Sequence, residues 1–297
     1  MGCKFILKKK VNIAKLKEWI YHIYMKNKRI IDTHVHIGRM LNFDMKESMV
    51  LEAMKKYNIE KILVSNSESA EADHQQVLLP PEYQISQETS FEKAIKFARE
   101  NPKKIYVAPW FKPKTQKISD KMISLIKENL DITKAVKFHP YHSALDFDAN
   151  EMIPYIELAQ EFNLPVLTHT GTGKNDHPQK VFNMAKKFPK VNFVMVHLGL
   201  GSDNSEAIEL ASKVDNLYGD TTWVSMESAI KFIKKVGSTK IFFGSDTPID
   251  GTDTYHHNAK GDRSLYQDYF FELEKLISPE DYDNLMWKNA LNFFGLE

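Results

Sequence analysis

The sequence predicts an α/β fold, a (β/α)8 TIM-like barrel of parallel strands with an N-terminal helical extension. Three observations lead there. Eight short runs rich in Val, Ile and Phe alternate with amphipathic stretches. Those runs are nearly continuously apolar, as strands buried on both faces are. The 297 residues are long for one domain but ordinary for a barrel. An open doubly wound sheet is the competing arrangement. It would usually carry a Gly-rich turn after its first strand, whereas Gly38 follows His36 without partner glycines. The dinucleotide fingerprint is therefore absent.

In chain order, residues 1–28 form the extension. Lys8, Lys9 and Lys10 precede a basic stretch in which Ile13, Leu16, Trp19, Ile20 and Ile23 recur at helical spacing. This is the stripe of a terminal helix docked on the domain; a membrane-surface helix shares the pattern. Residues 29–297 form the barrel domain. Strands are predicted over 29–35, 61–65, 104–109, 135–139, 165–169, 192–197, 216–220 and 240–246. Helices are predicted over 45–57, 91–100, 118–130, 151–162, 178–188, 205–213 and 226–235, with Asp44 capping the first and Asp203 the sixth. Long connections over 66–86, 140–150 and 247–264 follow strands, on the rim where barrel active sites are built. Pro80 and Pro81 sit in the first of these, a candidate partial lid.

Apolar residues make up 42% of the chain, enough for a large core. A formal charge of +1 gives no global field for nucleic acid. The single cysteine, Cys3, permits no intrachain disulfide and fits a reducing compartment, hence the cytoplasm. No run reaches the apolar length of a membrane span, so stable membrane insertion is not expected. Ile6 stands where a myristoylation signal needs Ser or Thr. A small-molecule substrate is the expected partner, and a homodimer is left open.

The polar residues stand at strand ends. In Asp32-Thr33-His34-Val35-His36, the two-residue strand period puts His34 and His36 on one face, with Asp32 a layer below. Other runs end in Lys137-Phe138-His139, Thr168-His169, Val196-His197 and Ser245-Asp246. In a barrel these ends converge on one rim, so His34, His36, His169, His197 and Asp246 would surround one cavity. Neutral imidazoles and a carboxylate suit a divalent ion such as zinc or manganese. Buried without partners they would carry a desolvation cost that an ion removes. His22, His74, His142 and His177 are expected at the surface. His256 and His257 lie in a rim loop within reach of a substrate.

Together the segments Asp32 to His36, Val136-Lys137-Phe138-His139-Pro140, Thr168 to Gly171, His197-Leu198-Gly199 and Gly244-Ser245-Asp246-Thr247-Pro248 resemble the motif series of the amidohydrolase superfamily. The nearest group is the amidohydrolase-related (amidohydrolase 2) group of metal-dependent TIM-barrel hydrolases and decarboxylases. The closing stretch from Trp287 to Gly295 is similar to that group's last helix. The resemblance implies that His34, His36, His169 and Asp246 hold a divalent metal, with zinc preferred and manganese as the alternative. Asp246 would then act as general base, and His197 would polarise the scissile carbonyl or hold the oxyanion. One ion is favoured, two if Lys137 is carboxylated and bridges them. An unmodified Lys137 would instead bind a substrate carboxylate, with His139 and Arg39 as further contacts and Arg263 as another cation. The implied reaction is attack of activated water on an amide, lactone or ester of a small carboxylate-bearing substrate. Nonoxidative decarboxylation of an unsaturated or aromatic acid is the alternative. An inactive barrel that serves as a binding or regulatory protein is the alternative of another class.

Overall fold

Nine strands occur among residues 25, 28–249 and 265–297, which the computed structural model describes. The predicted N-terminal helix with His22, and also His256, His257 and Arg263, lie outside the described residues. The strands are β1 (Ile31–Met40), β2 (Phe43–Met45), β3 (Lys61–Asn66), β4 (Ile105–Val107), β5 (Val136–Phe138), β6 (Val166–Gly171), β7 (Phe193–Leu200), β8 (Leu217–Asp220) and β9 (Ile241–Phe242). They run in the orders β2-β1-β3-β4 and β5-β6-β7-β8-β9. All neighbours are parallel except β1 and β2.

Backbone hydrogen bonds carry both seams between these two groups. At one, the Lys137 amide donates to the Pro109 carbonyl (2.8 Å) and Phe111 donates to Lys137 (3.0 Å). At the other, Thr33 donates to Phe243 (2.9 Å), His36 to Thr247 (2.8 Å) and Asp246 to His34 (2.8 Å). The eight parallel strands thus close on themselves, which among the described residues leaves only β2 with an exposed sheet edge.

Helices cover the outside. The main ones are Glu47–Tyr57, Gln87–Glu100, Asp120–Glu128, Ile153–Glu161, Pro178–Lys187, Ser205–Ala211 and Met226–Val236. Each turns an apolar stripe to the sheet; the second buries Phe91, Ala94, Phe97 and Ala98. No helix among the described residues is long and apolar enough to cross a membrane.

Inside the barrel, Ile31, Leu63, Tyr106, Ala135, Leu167, Val194 and Phe242 form an apolar floor. Phe294 and Leu296 pack against it from the C-terminal segment. On three of these strands the next interior position is polar and buried: Ser65 after Leu63, Lys137 after Ala135 and His169 after Leu167. The chemistry therefore sits directly on the core.

Several sequence expectations need correction. β1 runs past the predicted residue 35 to Met40 and turns back through β2. Its register shifts between Asp32 and Val35, so Ile31, not Asp32, fills the floor. Asp32 instead accepts hydrogen bonds from the His34 amide (3.1 Å), the Ser245 amide (3.1 Å) and the Ser245 hydroxyl, pinning the first strand to the last. Asp44 pairs with Arg39 in the β1–β2 ribbon, and the following helix has Lys46 at its N-cap with no side-chain cap. Asp203 stands one residue before the cap, Asn204, yet its Oδ1 accepts the Ser205 amide (3.0 Å).

Candidate metal centre and its cavity

His34 and His36 project from β1 at its register shift, onto the floor of a cavity of about 320 Å³ at the C-terminal ends of the strands. His139, His169, His197 and Asp246 line the same cavity. Its remaining wall is largely apolar and includes Met40, Phe43, Met45, Trp110, Leu200 and Ile249.

On this floor three donor atoms converge. His34 Nε2 lies 2.9 Å from His36 Nε2, and Asp246 Oδ1 lies 3.3 Å from the first and 3.1 Å from the second. Among the described residues this is the group of three ligand-type side chains that could hold an ion. Three donors about 3 Å apart leave a point about 2 Å from each, the ordinary zinc–ligand distance. Two imidazole lone pairs aimed at one another are unfavourable unless a proton or a cation lies between them. The residues fit a divalent metal.

Neighbouring side chains orient these donors. Asp220 Oδ2 lies 3.3 Å from His34 Nδ1, which makes Nδ1 the protonated nitrogen and leaves the Nε2 lone pair to the centre. Asp220 is itself fixed by the Thr222 hydroxyl (2.9 Å) and the His197 amide (2.9 Å). Gly244 leaves room for that carboxylate, since a Cβ there would stand 2.9 Å from Asp220 Oδ2 and 2.5 Å from Thr222 Oγ1. The indole N–H of Trp223 donates to Asp246 Oδ2 (2.9 Å), so Oδ1 is the oxygen turned to the histidines. His197 Nδ1 lies 3.1 Å from the Thr222 carbonyl, which frees its Nε2. His197 and Asp246 both hold left-handed backbone (φ 70° and 68°), strain of the kind that surrounding contacts impose at functional sites.

Electrostatics disfavour protonation of His34, His169 and His197. Burial, with Lys137 adding to it, holds His34 well below its ordinary value. Burial and the neighbouring His169 take His197 down to about 4. Burial also lowers His169 against the pull of Asp176. Asp246 is the converse: burial alone would raise it, but His34, His36 and His197 outweigh that and hold the carboxylate well below its usual range. Burial lowers the Lys137 ammonium to about 8, with Asp246 and Asp220 opposing; its Nζ lies 3.2 Å from His34 Nε2.

A pH dependence follows for the metal-free protein. The unfolded chain binds a proton on each of these histidines near 6.5, whereas folded His197 resists it down to about 4. The unfolded state therefore binds more protons in that window, so stability is fully present above about pH 6.5 and falls as pH drops toward 4. Thermal unfolding in chelator across this range measures it. A flat melting temperature would refute it.

Of the other expected contacts, His139 stacks on His169 (ring centroids 3.9 Å, 13° between planes) and on Trp110 (5.2 Å, 13°). Arg39 stands elsewhere. It is exposed and lines an adjoining groove with Leu41, Glu82 and Tyr83, because the β1–β2 ribbon carries its position out of the barrel mouth. His142, expected at the surface, is buried with Nδ1 at 2.9 Å from the Ala72 carbonyl. His177 caps the helix Pro178–Lys187, and exposed His74 reaches the cavity rim. Sequence reasoning did not single out Asp220, Asp176, Thr222 or Trp223 as site residues. For Asp220 a signal existed: it is a charged residue that ends the strand run β8, as the other site residues end theirs. The other three sit on loops without a period.

Residues 31–296 match a family model, Amidohydro_2, described as amidohydrolase. Among solved structures, 5-carboxyvanillate decarboxylase from Novosphingobium aromaticivorans, with bound manganese and 3-methoxy-4-hydroxy-5-nitrobenzoic acid, is similar at a TM-score of 0.66 and 12% identity, over 91% of this chain and 98% of that one. A probable 2-pyrone-4,6-dicarboxylic acid hydrolase from Acinetobacter baumannii, with citric acid bound, gives 0.60 and 11% over 90% and 99%. An uncharacterized TIM-barrel protein from Bordetella bronchiseptica gives 0.61 and 16% over 91% and 99%. At these identities the structures speak to the fold. No curated protein matches the chain.

Proposed function

This chain belongs to the amidohydrolase family, a metal-dependent enzyme family, and on that premise we propose that it binds one zinc ion and hydrolyses an amide, lactone or ester of a small substrate. The observation that carries the reading is the convergence of His34 Nε2, His36 Nε2 and Asp246 Oδ1 within 3.3 Å of one another at the cavity floor. Manganese is the alternative ion, supported by the decarboxylase neighbour that holds it. A bound ion supplies Lewis-acid polarisation of a substrate oxygen and lowers the pKa of water.

The chain's own residues do the rest. Asp246, its carboxylate held below the usual range beside His34, His36 and His197, is the proton acceptor. His197, neutral and with Nε2 free, hydrogen-bonds the oxygen on which charge develops. The stacked Trp110–His139–His169 wall holds a flat part of the substrate. Lys137, behind His34, supplies the positive charge for a carboxylate. The lone cysteine supports a cytoplasmic location.

Decarboxylation of an unsaturated or aromatic acid is the second reading. The aromatic and Met-lined wall supports it, as do the decarboxylases among the structural neighbours. The test is a panel of lactones, esters, amides and aromatic acids offered to metal-reconstituted protein. Acid release without carbon dioxide supports hydrolysis, and carbon dioxide release supports the second reading. Metal-loaded protein that turns over nothing in the panel would favour an inactive binding barrel.

One ion rather than two also makes Lys137 testable. Lys137→Ala is expected to keep its metal and lose substrate affinity, with the wild-type intact mass showing no carboxylation. Loss of metal that short carboxylates partly restore would instead establish a bridging carboxylated lysine.

A further inference from the structure

We infer that Asp176 is a positioning residue that fixes the tautomer of His169, holding Nε2–H and reserving Nδ1 for the metal or its substrate. The inference rests on the metal site proposed above, with His169 as the further ligand that the family resemblance implies. Asp176 Oδ2 lies 3.2 Å from His169 Nε2, and both side chains are buried, at 2% and 10% exposure. A carboxylate accepts and cannot donate, so the proton of a neutral His169 resides on Nε2. His169 Nδ1 is buried and has no protein partner. This is the reverse of His34, where Asp220 takes Nδ1 and leaves Nε2. The two imidazoles thus face the same cavity with opposite nitrogens in reserve.

The loop after β6 is shaped around this carboxylate. A Cβ on Gly171 would stand 2.6 Å from Asp176 Oδ2, and one on Gly173 would stand 2.5 Å from Oδ1. Two glycines therefore give the carboxylate its room. Loop closure does not need it: the Gly171 amide bonds the backbone carbonyl of Asp176 (3.0 Å), a contact any residue can make. Partners behind a metal-binding histidine typically matter by about 10–100-fold in metal affinity.

The experiment uses full-length, chelator-treated protein labelled with 15N histidine, with the His169 signals assigned by their loss in His169→Gln. Wild type is expected to show the Nε2–H tautomer. Asp176→Leu, close in shape but without an acceptor, should mix the tautomers and weaken zinc binding about 10–100-fold in calorimetry. Asp176→Asn keeps an acceptor oxygen and should restore the tautomer, with zinc affinity between the two. Gly171→Ala displaces the carboxylate and should act like Asp176→Leu. A merely structural Asp176 would move the melting temperature and leave the ring signals unchanged. Unchanged tautomer and zinc affinity in both Asp176 variants would overturn the inference, and the Asn variant decides it if the Leu variant fails to fold. Wild type that binds no zinc would refute the metal site itself, while the ring signals would still decide the tautomer.

Discussion

Replacing His34 and His36 together with alanine should leave the purified protein with essentially no bound metal, against about one equivalent for wild type. The two imidazoles supply two of the three donor atoms that converge at the cavity floor. Structural zinc sites gain on the order of 10–16 kcal/mol from their ligand sets, so losing two donors costs many orders of magnitude in affinity. The fold should survive. Both side chains lie above the apolar floor of Ile31, Leu63 and their neighbours, and the backbone bonds of His34 and His36 that close the barrel are kept. Elemental analysis after dialysis, with circular dichroism as the control for folding, measures the outcome. Full metal content in the double variant would remove the basis for the site.

Asp246→Asn should nearly abolish turnover, and the reason involves Trp223. Asparagine keeps the shape of the side chain but presents one oxygen and one NH2 group. The Trp223 indole is a donor only, so it holds the asparagine oxygen where Asp246 Oδ2 now stands. The NH2 then occupies the place of Oδ1 and points at His34 and His36, where it repels a cation. The variant should bind metal weakly. Once saturated it should still lose about 10²–10⁴ in turnover if Asp246 accepts the proton. Adding Trp223→Phe releases the amide to flip. The double variant Asp246→Asn/Trp223→Phe should regain metal affinity, and its turnover should stay low. Turnover that returns together with the metal would make Asp246 a ligand only and move the base to His197, whose Nε2 is free.

Eight apolar runs with helices between them, and polar residues at the ends of those runs, made the barrel and its rim legible in the sequence. Both signals are local. A strand's two-residue period is set by its own dihedrals, and the barrel rule carries every C-terminal strand end to one face. That is why His34, His36, His139, His169, His197 and Asp246, far apart in the chain, could be expected around one cavity. The shift in β1 that sends Ile31 rather than Asp32 to the floor was not legible, because a register break depends on the partner strand. The position of Arg39 outside the cavity was equally hidden in the unforeseen hairpin with β2.

Tertiary structure alone decided which ring nitrogen each histidine offers. Asp220 meets His34 across 186 residues, Trp223 meets Asp246 across 23, and Asp176 reaches back to His169 from a loop. Hydrogen bonds act over about 3 Å, and only closure of the barrel brings these groups that close. The sequence by itself determined the fold and the residue types that share the cavity. Donor orientation, tautomer and charge state came from contacts between distant segments, because those properties depend on distances that no local pattern encodes.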